Sequence, residues 1–208
     1  MDFRRPLSVV APTLDGDVLG VLAGAHEEFT GRRIHRVLGH GSEHGVRKAA
    51  DRLVAQGIVT RRQAGQAKLY SLNRSHLAAP YVEGLGTLRA QLVKRLKWSV
   101  SAWSISPWAV LLFGSVARGD AGVESDLDLL VVRRPDTKEE SSLWQDQLSA
   151  FEREATVWTG NEARVIEYGQ RDLTDPDVRG LVEAALDGGI PIFGGRLRLS
   201  RLLDRSGE

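Results

Sequence analysis

The stretch Leu111-Leu112-Phe113-Gly114-Ser115, followed by Ser125-Asp126-Leu127-Asp128-Leu129-Leu130, constrains this chain more than any other. One apolar run stops at Gly-Ser, and a second carries two acids one residue apart. Side chains on a strand alternate faces, so Asp126 and Asp128 are expected to point one way and Leu127 and Leu129 the other, into a core. Two carboxylates fixed side by side repel each other unless a cation lies between them. The arrangement suits a divalent cation and, through it, phosphate oxygens. Gly114 is expected to end the first strand, and residues 115–119 to start a short helix. Glycine lets the backbone approach a phosphate closely, a helix N-terminus offers unpaired N–H groups, and the Ser115 hydroxyl adds a donor. A plain βαβ turn with a solvent-facing acid pair leaves the neighbouring Gly-Ser unexplained.

The run GSVARGDAGVESDLDLLVV, in the order strand, Gly-Ser, short helix, loop and strand with Asp-x-Asp, resembles the signature of the DNA polymerase beta-like nucleotidyltransferase superfamily, above all its small "minimal" members. The resemblance covers residues 108–170. It implies an enzyme that moves an NMP from an NTP to an acceptor, with Mg²⁺ or Mn²⁺ as cofactor. Asp126 and Asp128 would hold the metal and act in catalysis. Gly114 and Ser115 would position the β and γ phosphates, and Arg118 would neutralise charge on the leaving group. The superfamily usually has a third carboxylate on the third strand, which helps deprotonate the attacking hydroxyl. By resemblance that acid falls near Arg164, which is basic. Glu162, just before the strand, and Glu167, on it but one face away from Arg164, stand as candidates, and Glu167 is assigned the catalytic role. Without such a base the domain would bind nucleotide without turnover, and Arg164 stands as a contact to substrate phosphate.

Charge is divided along the chain. Residues 1–106 carry 16 Lys and Arg against 8 Asp and Glu, whereas residues 107–208 carry 12 against 19. A basic half joined to an acidic half points to two domains with different partners. There are no cysteines, which excludes disulfides, thiolate zinc sites and a Cys nucleophile, and fits the cytoplasm. No apolar run approaches a membrane span and the N-terminus lacks a signal-peptide pattern, so no membrane partner is expected.

In the basic half, residues 15–26 show helical spacing through Val18, Leu19, Leu22 and Ala23. Thr30 reads as the N-cap of a helix over 32–38, and Ser42 as the cap of a helix over 43–56 with Val46, Ala49, Ala50, Leu53 and Val54 on one face. Gly57 ends it. Residues 58–60 and 68–72 read as short strands joined by a basic loop over 61–67. This order resembles the winged helix-turn-helix of small bacterial repressors. The resemblance implies duplex DNA as partner, with Ser42, Glu43, His44, Arg47 and Lys48 at base edges and Arg61, Arg62 and Lys68 flanking a wing on phosphate or minor groove. Protein contact alone is the competing reading. His35, His40 and His44 lack a completing carboxylate or Cys for zinc.

The expected fold class is α+β: a winged-helix domain over 1–79, a helical linker over 80–106, and a nucleotidyltransferase-like domain over 107–208 with a mixed sheet and helices on one side. Strands are expected at 108–113, 127–132 and 163–168, with an extended segment at 190–193. Helices are expected at 138–158 and 176–187. Trp98, Trp103 and Trp108 read as packing anchors. Three functions stand: the DNA-tethered transferase, a transcriptional regulator whose second domain only senses nucleotide, and an antitoxin-like partner protein. A homodimer is compatible with each.

Overall fold

The computed structural model describes residues 1–196, 198–200 and 203. The chain divides into two compact units, one of residues 2 and 4–88, the other of residues 1, 3 and from 89 onward.

The first unit opens with α1 (Leu14–Ala23) and a short strand, β1 (Phe29–Thr30). The Thr30 hydroxyl accepts from Arg33 N at 3.2 Å and starts α2 (Gly31–Leu38), which Gly39 ends at φ 70°. The Ser42 hydroxyl accepts from Gly45 N at 3.0 Å and starts α3 (Glu43–Ala55). Both caps satisfy helix N–H groups that have no partner within the helix. Val46, Ala49, Ala50 and Leu53 of α3 meet Val18, Leu22 and Ile34 in one core. The strands β2 (Val59–Ala64) and β3 (Ala67–Leu72) complete an antiparallel sheet in the order β1-β3-β2.

The basic loop expected over 61–67 is instead mostly strand. Ala64 pairs with Ala67, leaving Gly65-Gln66 as the turn, and Gly65 at φ 59° supplies the positive φ that so tight a hairpin needs. Arg61 and Arg62 therefore lie on β2, opposite Tyr70 and Leu69.

The stretch 80–106, expected as a linker, is shared between the units. Helix α4 (Ala79–Gly86) places Ala79 in the first core, while α5 (Leu88–Ser101) gives Leu92, Leu96 and Val100 to the second.

The second unit continues with β4 (Ala109–Phe113), α6 (Gly114–Arg118), β5 (Leu127–Val132), α7 (Ser142–Thr159), β6 (Ala163–Tyr168), α8 (Pro176–Gly188) and β7 (Ile190–Phe193). The sheet order is β6-β5-β4-β7, with β5 and β6 parallel and the other pairs antiparallel. Parallel neighbours need a long crossover, here α7. Val110, Leu112, Leu127, Leu129 and Val131 pack with α5 and with Trp144, Leu148 and Phe151 of α7. Ala109, Leu111, Leu130 and Val132 pack on the other face with Leu173, with Val182 and Ala185 of α8, and with Leu199. Helices thus cover both faces, not one side as expected. The apolar run of β4, and that of β5 beyond Asp128, are those of strands buried on both faces.

Trp103 meets Trp144 and Phe151 edge to face, with ring centres 5.7 and 5.3 Å apart, while Trp98 is exposed. Among the described residues, no helix is long and apolar enough to cross a membrane.

Candidate functional site

Strand β5 begins at Leu127, so Asp126 lies one residue before it and Asp128 is its second residue. Asp128 pairs with Phe113 of β4 on one side and with Arg164 of β6 on the other. It shares its face with Leu130 and Val132, while Leu127 and Leu129 fill the α5–α7 core. The turn from β4 into α6 crosses directly over this carboxylate. Gly114 has φ 70°, and a Cβ there would lie 2.3 Å from Asp128 Oδ2. Both the backbone conformation and the space demand glycine.

Burial, and then the neighbouring Asp126, hold the Asp128 carboxyl above the usual carboxylate range, against the opposing pull of Arg164 and Arg118. Arg164 Nη1 lies 2.9 Å from Asp126 Oδ2, and its Nε lies 3.6 Å from Glu162 Oε1. The predicted Arg118 stands exposed at the end of α6, with Nε 3.3 Å from Asp120 Oδ2. Ser115 is in the first turn of α6, half-buried.

Two supporting residues escaped the sequence reading. Arg89 of α5 donates from Nη1 to the Ala117 carbonyl at 2.8 Å, closing the C-terminal end of α6 beside Gly119. Asn161, 2% exposed, aims Nδ2 at three carbonyls of the loop before β5: Gly122 at 3.2 Å, Val123 at 3.3 Å and Ser125 at 2.8 Å. The turn between α7 and β6 thereby fixes the chain immediately before Asp126. Both interactions join residues far apart in sequence, and no local pattern marks them.

Glu167 does not join the acid pair. It pairs with Val131, whose side chain fills the α5–α7 core, and its carboxylate accepts from Arg133 Nε at 2.5 Å. Three residues along a strand reverse the face, so Glu167 lies opposite Arg164. Arg133 also donates to Glu139 and to the Thr137 carbonyl. Of the two candidate third acids, only Glu162 reaches the acid pair's neighbourhood, through Arg164.

Among the described residues, no three or more His, Cys, Asp or Glu side chains group closely enough to hold a metal. Asp126 and Asp128 nevertheless suit Mg²⁺, which takes one or two carboxylates and completes its shell with water and substrate phosphate. The absence of a Cβ at Gly114 lets the Asp128 carboxylate lie directly against the backbone of the turn.

In the first unit, Ser42 is engaged in capping α3. Arg47 pairs with Glu43 at 2.6 Å, Arg61 and Lys68 share Asp51 at 3.1 and 3.7 Å, and Arg62 is forked onto Glu28. His44 and Lys48 on α3 are exposed, as are Arg32 and Arg36 on α2.

A crystal structure of a toxin-antitoxin with AMP-PNP is similar over 56% of this chain and 82% of its own, at 15% identity and a TM-score of 0.37. No curated protein matches the chain. The segment that holds the Gly-Ser turn, the acid pair, Asn161 and Arg164 does match a family: residues 90–179 fit the model of the nucleotidyltransferase domain.

Proposed function

We propose that the second unit is a cytoplasmic, metal-dependent nucleotidyltransferase that moves an NMP from an NTP to an acceptor hydroxyl, and that the first is a winged helix that tethers it to duplex DNA. The observation that carries the reading is the carboxylate pair set against the side-chain-free backbone of Gly114. Asp126 and Asp128 are the residues to hold Mg²⁺ or Mn²⁺, an ion that neutralises triphosphate charge when bound. Gly114 lets the backbone lie directly against the Asp128 carboxylate, so that the turn brings main-chain atoms close to the phosphates, and Ser115 Oγ donates to a β or γ oxygen. Arg118, exposed and paired with its near neighbour Asp120, swings to the departing pyrophosphate. The acceptor oxygen attacks the α-phosphorus as the bond to pyrophosphate breaks. Glu162 takes the acceptor proton.

Titrating a non-hydrolysable NTP with Mn²⁺ tests the reading. Wild-type protein binds, and the double variant Asp126→Asn, Asp128→Asn does not. Equal affinity in the two proteins overturns it. A second reading, a nucleotide-sensing regulator, is favoured by Arg164 standing where a third acid is expected and by Glu167 facing away. It gains if the wild type binds nucleotide but releases no pyrophosphate with any acceptor.

A further inference from the structure

The acid pair already has a cation. Arg164 stands beside Asp128 in the parallel register of β5 and β6, and its Nη1 lies 2.9 Å from Asp126 Oδ2. A guanidinium stays charged at any working pH, so it leaves a carboxylate only by moving. Here it is free to move. The side chain is 57% exposed, and among the described residues its charged partners are Asp126 and Glu162.

A divalent ion and this guanidinium seek the same carboxylate oxygen. An ion arriving alone must displace Arg164 from Asp126 and gives it nothing in exchange. An ion arriving with a polyphosphate brings anionic oxygens, and a planar guanidinium binds phosphate in the same forked way as it binds carboxylate. Glu162, on the solvent side, is too exposed to retain the freed side chain strongly, at 70% exposure.

We propose that Arg164 is an exchangeable counter-ion. It pairs with Asp126, opposes entry of a bare divalent ion, and transfers to the phosphates when metal and triphosphate arrive together. The site then admits its metal chiefly as a metal–polyphosphate complex, and the two ligands bind with positive coupling, which by linkage is the same in either order.

The inference rests on the nucleotidyltransferase reading, and one set of titrations separates the two. Mn²⁺ binding is followed by the paramagnetic resonance of the free ion, with and without a non-hydrolysable ATP analogue, on the full chain. Wild-type protein is expected to bind Mn²⁺ weakly alone and at least about tenfold more tightly with the analogue. Arg164→Ala is expected to bind Mn²⁺ alone about tenfold more tightly than wild type, and to lose most of the coupling. Arg164→Lys keeps the charge without the fork and is expected to fall between them, which guards against a folding artefact in the alanine variant. If Asp126→Asn, Asp128→Asn leaves wild-type binding intact, the nucleotide-site reading fails and the inference with it. If that variant abolishes binding but Arg164→Ala leaves Mn²⁺ affinity and coupling unchanged, the reading stands and the counter-ion role is overturned.

Discussion

The Asp128 carboxylate occupies the space in which Gly114 would carry a side chain, with Oδ2 2.3 Å from the position of a Cβ. A methyl group there must push the acid aside, and a non-glycine residue at φ 70° is strained in addition. Gly114→Ala is expected to lower the stability of the second unit by about 1–3 kcal/mol. Metal-dependent nucleotide affinity is expected to drop about tenfold or more, on the scale of one lost hydrogen bond to a charged group. Calorimetric titration and thermal melting read the two effects. A folded variant with unchanged affinity would reduce the glycine to a structural turn.

Asp128 gives a pH dependence of definite sign. Its carboxyl keeps a proton to higher pH in the folded chain than in the unfolded one, through burial and the nearby Asp126. Across that window the folded state binds more protons, so stability falls as pH rises from the ordinary Asp value of about 4 through the raised one. Asp128→Asn removes the decline. Melting in chelator is expected to show the variant more stable than wild type at neutral pH, with the curves converging in acid. A variant less stable than wild type at neutral pH would contradict this.

The two candidate third acids are expected to separate cleanly. Glu167→Gln breaks the contact with Arg133, whose side chain and that of Glu167 are only 13% and 15% exposed. It is expected to cost about 1–3 kcal/mol of stability and to leave the rate of pyrophosphate release per folded molecule unchanged. Glu162→Gln is expected to do the reverse, lowering the rate by about 10²-fold at near-constant nucleotide affinity, as removal of a general base does. A rate loss confined to Glu167→Gln would return the assignment to Glu167.

The proposed tether to duplex DNA is tested through salt. Arg61 and Arg62 already hold carboxylates, so binding phosphate means exchanging one anion for another. Lys48, Arg32 and Arg36 are exposed and release condensed counterions instead. Replacing each of these three with Ala is expected to reduce the salt slope of duplex binding by about 0.9. Arg61→Ala and Arg62→Ala are expected to reduce it by less. Fluorescence anisotropy across a salt series distinguishes the groups, and absence of any complex at low salt would favour the protein-contact reading.

The chain announces its strands better than its partnerships. Residues 127–132, 163–168 and 190–193 form strands over the expected spans because each is short, rich in apolar residues and bounded by turn residues, even where Asp128, Arg164 and Glu167 interrupt the pattern. The Gly-Ser turn and the acid pair were legible because a carboxylate beside an apolar run has few structural uses. The covering of both sheet faces lay in the same apolar runs, yet choosing α8 for the second face required its tertiary position. Arg61 and Arg62 were assigned to a loop because polar residues on a two-stranded hairpin resemble one. The spacing of three between Arg164 and Glu167 already puts the two on opposite faces, and the register of β5 and β6 agrees with that parity. The roles of Arg89 and Asn161 depend on hydrogen bonds spanning 28 to 39 residues, which periodicity does not encode.

Asn161 fastens the segment before Asp126 by its carbonyl oxygens, not by its side chains. Val123 and Glu124 project outward from that segment, Val123 with 61% exposure. A latch that reads only the main chain is indifferent to what those two positions carry. Mutation can therefore rewrite them beside a preserved acid pair, so the surface next to Asp126 can change its character without the frame that holds the pair being rebuilt.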